Sequence, residues 1–216
     1  MTKFQVAVLI SGNGSNLQAL IDAAALSDYP AEIALVISNR PDAFGIERAQ
    51  KAGIRTAVID HKKYETRSEF ENALQSELTK QPIDLICLAG FMRILNPEFV
   101  ELWRDRMINI HPSLLPAYKG LNTFQRAIDD GVRFAGCTIH YVVPEMDAGP
   151  IIMQAVVPIG QNDTKETLAK KIQQQEHKMY PAALKKIANG SVCVRDDKVT
   201  YESVDLGDDA VISPIL

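Results

Sequence analysis

The stretch AVLISGNGSNLQALI, residues 7 to 21, sets Ser11, Gly12, Asn13, Gly14, Ser15 and Asn16 between two apolar runs. The pattern predicts a buried strand over 4–10, a glycine-rich turn, and a helix over 15–26. A turn of this kind offers free backbone N–H groups at a helix N-terminus, and the helix dipole favours an anion there. A capped turn alone also accounts for these residues. The density of small polar side chains favours a phosphate. No third glycine follows where Leu17 stands, and no Walker lysine follows the turn, so neither dinucleotide nor nucleoside-triphosphate fingerprints are satisfied.

Outward from this turn, strands alternate with helices. Strands are read at 32–38, 55–60, 83–90 and 107–111. Helices are read at 42–52, 68–81 and about 97–104. Continuous Val/Ile/Leu content in the strands fits burial on both faces. The repetition implies an α/β, mostly parallel, doubly wound, Rossmann-like sheet. After residue 112 two prolines and a glycine predict a structured loop, followed by a helix over 122–130. Strands at 136–143 and 150–159, joined through PEMDAG, read as a hairpin, an antiparallel C-terminal extension of the sheet. A helix over 164–190 and a small hairpin in SVCVRDDKVTYESV complete the chain. No linker or repeat interrupts it, so residues 1–216 read as a single domain.

Bulk properties exclude several classes. The chain has 216 residues with 46% hydrophobic content, enough for a core without metal or disulfide staples. Its net charge of −4 gives no general grip on nucleic acid. Cys87, Cys137 and Cys193 form no C-x-x-C pair, so neither a zinc knuckle nor a disulfide framework is indicated. The N-terminus lacks a leader pattern, and no apolar run approaches a membrane span, so a cytoplasmic protein is expected.

The chemistry-bearing residues lie later. NIHPSLLP places Asn109 and His111 two apart at a strand end, hence on one face, with Ile110 turned into the core. In EMDAGPI, Asp147 sits beside Gly149 in the hairpin link. A carboxylate beside an imidazole favours its charged form. An amide, an imidazolium and an acid together suit acyl transfer, because two of them donate to a developing oxyanion. His140 reads as packing or capping a sheet edge, and His61 as solvated. His177 lies on the long helix beside Glu176.

SGNGSNLQALI, LAGFMRIL with INIHPSLLP, and MDAGPII, in this order, resemble the folate-dependent formyltransferase family over about residues 5–180. The SGNGSN loop and the short length narrow the resemblance to its glycinamide ribonucleotide branch. The resemblance implies formyl transfer from 10-formyltetrahydrofolate, as co-substrate, to the ribonucleotide amine, with no metal. It implies Asn109, His111 and Asp147 as the catalytic trio. Gly14, Ser15 and Asn16 would hold the ribonucleotide phosphate, and Glu176 its ribose or amine end. Met92, Arg93, Ile94 and Leu95 would line the folate pocket with Asn109, and Arg67 would meet the folate's glutamate tail. Partners would be small molecules, not nucleic acid or membrane, in a monomer or homodimer. Many members carry histidines in a GLHTH-like run, where this chain has Asn122 and Phe124. Rival readings are the tRNA-directed relative, a formyl-folate hydrolase, and a non-catalytic phosphometabolite sensor, which would not need the trio.

Overall fold

Each central strand divides its side chains between two apolar layers. On the first strand, β1 (Phe4–Ile10), Val6, Val8 and Ile10 join one cluster while Ala7 and Leu9 join the other. That two-sided burial places helices on both faces, which is why the strand reads as an unbroken apolar run. The computed structural model describes residues 3–202.

The other elements are, in chain order, α1 (Ser15–Ala24), β2 (Ala31–Ser38), α2 (Phe44–Lys51), β3 (Thr56–Val58), α3 (Arg67–Leu78) and β4 (Leu85–Leu88). They continue as α4 (Pro97–Leu102), β5 (Met107–His111), α5 (Thr123–Asp129), β6 (Phe134–Tyr141), β7 (Ile151–Pro158) and α6 (Lys165–Ala188). A hairpin of β8 (Val192–Arg195) and β9 (Lys198–Tyr201) follows. It is the small hairpin expected from sequence, whose last residues lie outside the described ones.

Seven strands form one sheet in the order β3-β2-β1-β4-β5-β6-β7. The first five are parallel, and β6 and β7 add antiparallel pairings. The strand order reverses between β1 and β4, the position where ligands enter open α/β sheets. One layer is filled from α1 (Leu17, Leu20) and α6 (Leu168, Ile172, Leu184). The other is filled from α3 (Phe70, Leu74, Leu78) and from Phe99 and Val100 of α4. Each fully buried Leu or Ile contributes roughly 1.5–3 kcal/mol.

Boundaries follow local chemistry. Thr66 and Glu69 form a capping box that opens α3. Thr164 caps α6 with Thr167 as its reciprocal partner. The expected strand over 55–60 shrinks to an edge strand of three residues. The expected short hairpin link is longer: β6 ends at Tyr141 and β7 begins at Ile151.

Gly12 and Gly14 differ in what they do. Gly14 has φ +74°, and a Cβ there would sit 2.8 Å from the Gly45 Cα. Its freedom therefore serves the close approach of α2 to the turn, fixed also by Gly45 N–H donating to the Gly12 carbonyl at 3.0 Å. A Cβ on Gly12 would meet nothing within 4 Å. We expect Gly14→Ala to cost at least about 2 kcal/mol, from left-handed strain and backbone contact together. Gly12→Ala should stay within about 0.5 kcal/mol. Denaturant midpoints of the two variants check this, and equal midpoints would refute it.

Candidate active site

The pairing of β5 with β6 builds the site. Asn109 lies directly opposite His140, and His111 opposite Thr138. Alternation puts Ile108, Ile110, Cys137, Ile139 and Tyr141 into the layer under α6. The four polar residues share the other face. Loops cover that face: residues 112–122 and the link 142–150.

His140 is buried and its Nδ1 lies 2.9 Å from the Tyr141 carbonyl. A carbonyl only accepts, so Nδ1 carries the hydrogen and Nε2 keeps a lone pair. That lone pair accepts from the Asn109 amide nitrogen at 3.2 Å. Burial pushes the His140 pKa below the ordinary histidine range, which keeps the ring a neutral acceptor. His140 is thus a site residue and not a sheet-edge cap. Its sequence context, TIHYVV, reads as an ordinary strand, and only the strand register exposes its role.

His111 is buried too. Its Nε2 donates to the Tyr118 carbonyl at 2.9 Å, by the same reasoning. Its Nδ1 faces the Asp147 carboxylate at 3.5 Å. The same carboxylate stands 4.0 Å from His140 Nε2, and accepts from the Gly120 N–H at 2.8 Å. Asp147 adopts φ +50°, which an Asp tolerates better than most residues. By register the link leaves β6 beside Ile108, toward the start of β5. It folds back across the sheet face to bring Asp147 over the two imidazoles. A two-residue turn could not do this.

The 112–122 loop is held in place by its own contacts. Ser113 Oγ donates to the Ala117 carbonyl at 2.6 Å, and Thr138 Oγ1 to the Ser113 carbonyl at 2.7 Å. Gln154 Nε2 donates to the Leu115 carbonyl at 2.9 Å, and Arg126 Nη1 to the Lys119 carbonyl at 2.7 Å. An apolar cavity of about 310 Å³ lies behind this loop, lined by Pro112, Leu114, Phe124 and Ile172 among others. None of the candidate site residues lines it.

The glycine-rich turn opens at the carboxyl end of β1, two strands from β5. The first bond inside α1 runs from Gln18 N–H to the Gly14 carbonyl at 2.9 Å. The N–H groups of Ser15, Asn16 and Leu17 are therefore the free donors of the helix end. Asn16 Nδ2 donates to Glu176 Oε2 at 2.9 Å, and Gln173 Nε2 to Ser15 Oγ at 3.1 Å. Gly14, Ser15, Asn16 and Glu176 are thus brought together by the packing of α1 on α6. Burial raises the Glu176 pKa, against the bond from Asn16. Asn16 Oδ1 is buried with no hydrogen-bond partner among the described residues, so a donor from a ligand would satisfy it. Arg48, which sequence reasoning missed, donates through Nε to the Asn13 carbonyl and through Nη2 to Asn13 Oδ1, both at 2.9 Å. It braces the turn and adds a cation beside it.

Between these two regions, at the end of β4, runs the segment Met92–Leu95. Met92, Arg93 and Ile94 are exposed, while Leu95 is 7% exposed and packs into the core. Leu95 therefore offers a pocket its main chain and not its side chain. The N–H groups of Arg93, Ile94 and Leu95 donate to none of the described residues. Arg67 reaches the end of this segment, donating to Asn96 Oδ1 at 3.2 Å. His61, expected to be solvated, is half-buried with Nδ1 2.9 Å from the Asn39 carbonyl.

Comparison with known proteins follows the same outline. A family model described as formyl transferase matches residues 4–184. The trifunctional purine biosynthetic protein adenosine-3 of Homo sapiens is 50% identical over 190 residues, and the match spans 88% of this chain but only 19% of that protein's length. A phosphoribosylglycinamide formyltransferase of Haemophilus influenzae is 45% identical over 193 residues, 89% of this chain and 91% of that one. The crystal structure of glycinamide ribonucleotide transformylase 1 from Symbiobacterium toebii superposes with a TM-score of 0.90 at 41% identity, covering 93% of this chain and 95% of that one. Sequence match, superposition and the polar face of β5 and β6 lead to one conclusion: the chain belongs to the formyl transferase family.

Proposed function

We propose that this chain transfers a formyl group from 10-formyltetrahydrofolate to the amine of glycinamide ribonucleotide, a step of purine biosynthesis. Residues 1–216 would act as one domain, in the cytoplasm, with small molecules as partners. What supports the reading is convergence: Asn109, His111 and Asp147 meet on one loop-covered face of β5 and β6, two strands from the glycine-rich turn. The names of the relatives supply the ribonucleotide. Among the described residues no helix is long and apolar enough to cross a membrane, and no cluster of three or more His, Cys, Asp or Glu stands together to hold a metal. The reading assigns the chemistry to hydrogen bonds and proton transfer.

The folate co-substrate, when bound, supplies the formyl carbon. The exposed Met92 and Ile94 and the free N–H groups of Arg93 to Leu95 suit a flat heterocycle bearing polar edges. The free N–H groups of α1, backed by Arg48, suit the ribonucleotide phosphate. Asn16 Oδ1 and Glu176 suit the hydroxyl or amine donors of the same substrate. Held this way, the amine and the formyl carbon meet as if within one molecule.

Asn109 uses one amide hydrogen on His140 and keeps the second for the formyl oxygen. Because His140 is neutral, it orients this amide without adding charge. His111 has Nε2 committed to the Tyr118 carbonyl, so Nδ1 is the atom that gains and loses a proton. Asp147 faces that atom, accepts the proton released by the attacking amine, directly or through water, and passes it to His111 Nδ1. His111 then returns a proton to the departing folate nitrogen.

Absorbance of the folate should change only when protein, 10-formyltetrahydrofolate and glycinamide ribonucleotide are mixed together. Binding without turnover would replace the enzyme with a sensor. His111→Ala should lower kcat by about 10²- to 10⁴-fold while the ribonucleotide Kd moves less than about twofold; retained turnover with lost affinity would contradict the assigned role. NMR of the histidine rings should show His140 titrating below the ordinary histidine range of about 6.5, so that it stays neutral at pH 7. A midpoint at or above that range would show that burial does not hold it neutral.

A further inference from the structure

Two buried polar side chains outside the reaction grip the segment that the proposed function gives to the folate. Ser11 is 5% exposed and Glu71 is 4% exposed. Ser11 Oγ accepts from the Met92 N–H at 2.7 Å and donates to Asn39 Oδ1 at 2.5 Å. Asn39 is itself buried. Glu71 Oε1 accepts from the Asn96 N–H at 2.7 Å. Both side chains therefore act on backbone donors, one at each end of the same five residues.

The position of these bonds is what gives them meaning. Residues 91–96 carry no regular secondary structure, so no ladder fixes their backbone. Leu95 supplies the third anchor by packing into the core. The N–H groups left unpaired among the described residues are those of Arg93, Ile94 and Leu95, between the two grips. A carboxylate is an expensive choice for a purely mechanical grip. Burial raises the Glu71 pKa, and the bond from the Asn96 N–H, with the charge of Arg67, offsets this only in part. Apolar packing would hold α3 against α4 without that cost. Only an acceptor at this point takes the Asn96 N–H and ends the run of free donors at Leu95.

We infer that Ser11 and Glu71 are positioning residues which hold the backbone of Arg93–Leu95 in register for the folate heterocycle. Ser11 stands at the end of β1, in the loop that leads into the anion turn. The inference rests on the proposed function, because it takes this segment to be the folate side of the crevice.

Steady-state kinetics on the full chain test it. Glu71→Ala and Ser11→Ala should each raise KM for 10-formyltetrahydrofolate about fivefold or more, the loss of roughly one hydrogen bond. KM for glycinamide ribonucleotide should move less than about twofold. Glu71→Gln keeps a carbonyl acceptor in the same place and should restore the folate KM to within about twofold of wild type. Thermal melts identify which variants are folded. If Glu71→Ala does not fold, the comparison stands on Ser11→Ala, which removes a single oxygen, and on Glu71→Gln. A folded variant whose folate KM is unchanged, or whose two KM values rise together, overturns the inference. So does Glu71→Gln behaving like a disrupted grip. A wild type that turns over while the variants keep their folate KM removes the inference alone. A wild type that neither turns over nor binds the folate removes the proposed function, and the inference with it.

Discussion

The register between β5 and β6 is the constraint on which the site depends. Side chains on paired strands alternate between faces, so a slip of one residue would send every group to the wrong side. In the observed register Ile108 and Ile110 pack with Cys137, Ile139 and Tyr141 under α6. Asn109, His111, Thr138 and His140 then face the loops together. The apolar half enforces the polar half. Burying several Ile and Tyr side chains outweighs any gain from an alternative pairing, and the four polar groups take their places as a consequence. Function here is positioned by the hydrophobic face of the same strands.

The groups that hold that face in place are mainly backbone atoms. The Tyr118 carbonyl fixes His111, the Gly120 N–H fixes Asp147, and the Tyr141 carbonyl fixes the tautomer of His140. Such partners hold direction well because their own geometry is locked by the surrounding contacts. They also divide the two imidazoles into different roles. His140 is surrounded by low-dielectric packing and stays neutral, while His111 faces a carboxylate. Glu176 and Asn16 make a similar contrast on the other side of the crevice, where a buried carboxylate and an unsatisfied amide oxygen both present acceptors.

Much of this was legible in the sequence, for identifiable reasons. The strand–helix repetition follows from apolar periodicity, and the common face of Asn109 and His111 follows from their spacing of two. The glycine-rich turn was readable as a helix start. Its glycines were less so: Gly14 answers to Gly45, which lies in another element, and no local pattern reveals that contact. Arg48 is legible only once α2 is docked beside the turn. His140 required the register of β6 on β5, which depends on where β5 ends, the least certain feature of any strand. The link carrying Asp147 looked like a short hairpin because Gly149 marks a turn. In the structure Gly149 lies against the Tyr141 carbonyl, and the seven link residues before it, 142–148, make the fold-back that brings the carboxylate home. Leu95 could be assigned to the pocket from its neighbours, but only burial separates its main chain from its side chain.

The same distinction explains why positions 122 and 124 can depart from the family pattern without disturbing the site. Asn122 sits at φ +57° at the start of α5, a left-handed conformation that Asn adopts more readily than most residues. Phe124 packs partly against the main core and lines the cavity behind the loop. Neither side chain is among the contacts that hold His111 or Asp147. What the loop must deliver to those two residues is a carbonyl at Tyr118 and an N–H at Gly120, and both belong to the main chain. Their placement depends on Arg126, Thr138 and Gln154 bracing the loop from outside. A loop that works through its backbone tolerates exchange of the side chains it does not use. A histidine motif can therefore be lost while the geometry it accompanied is kept.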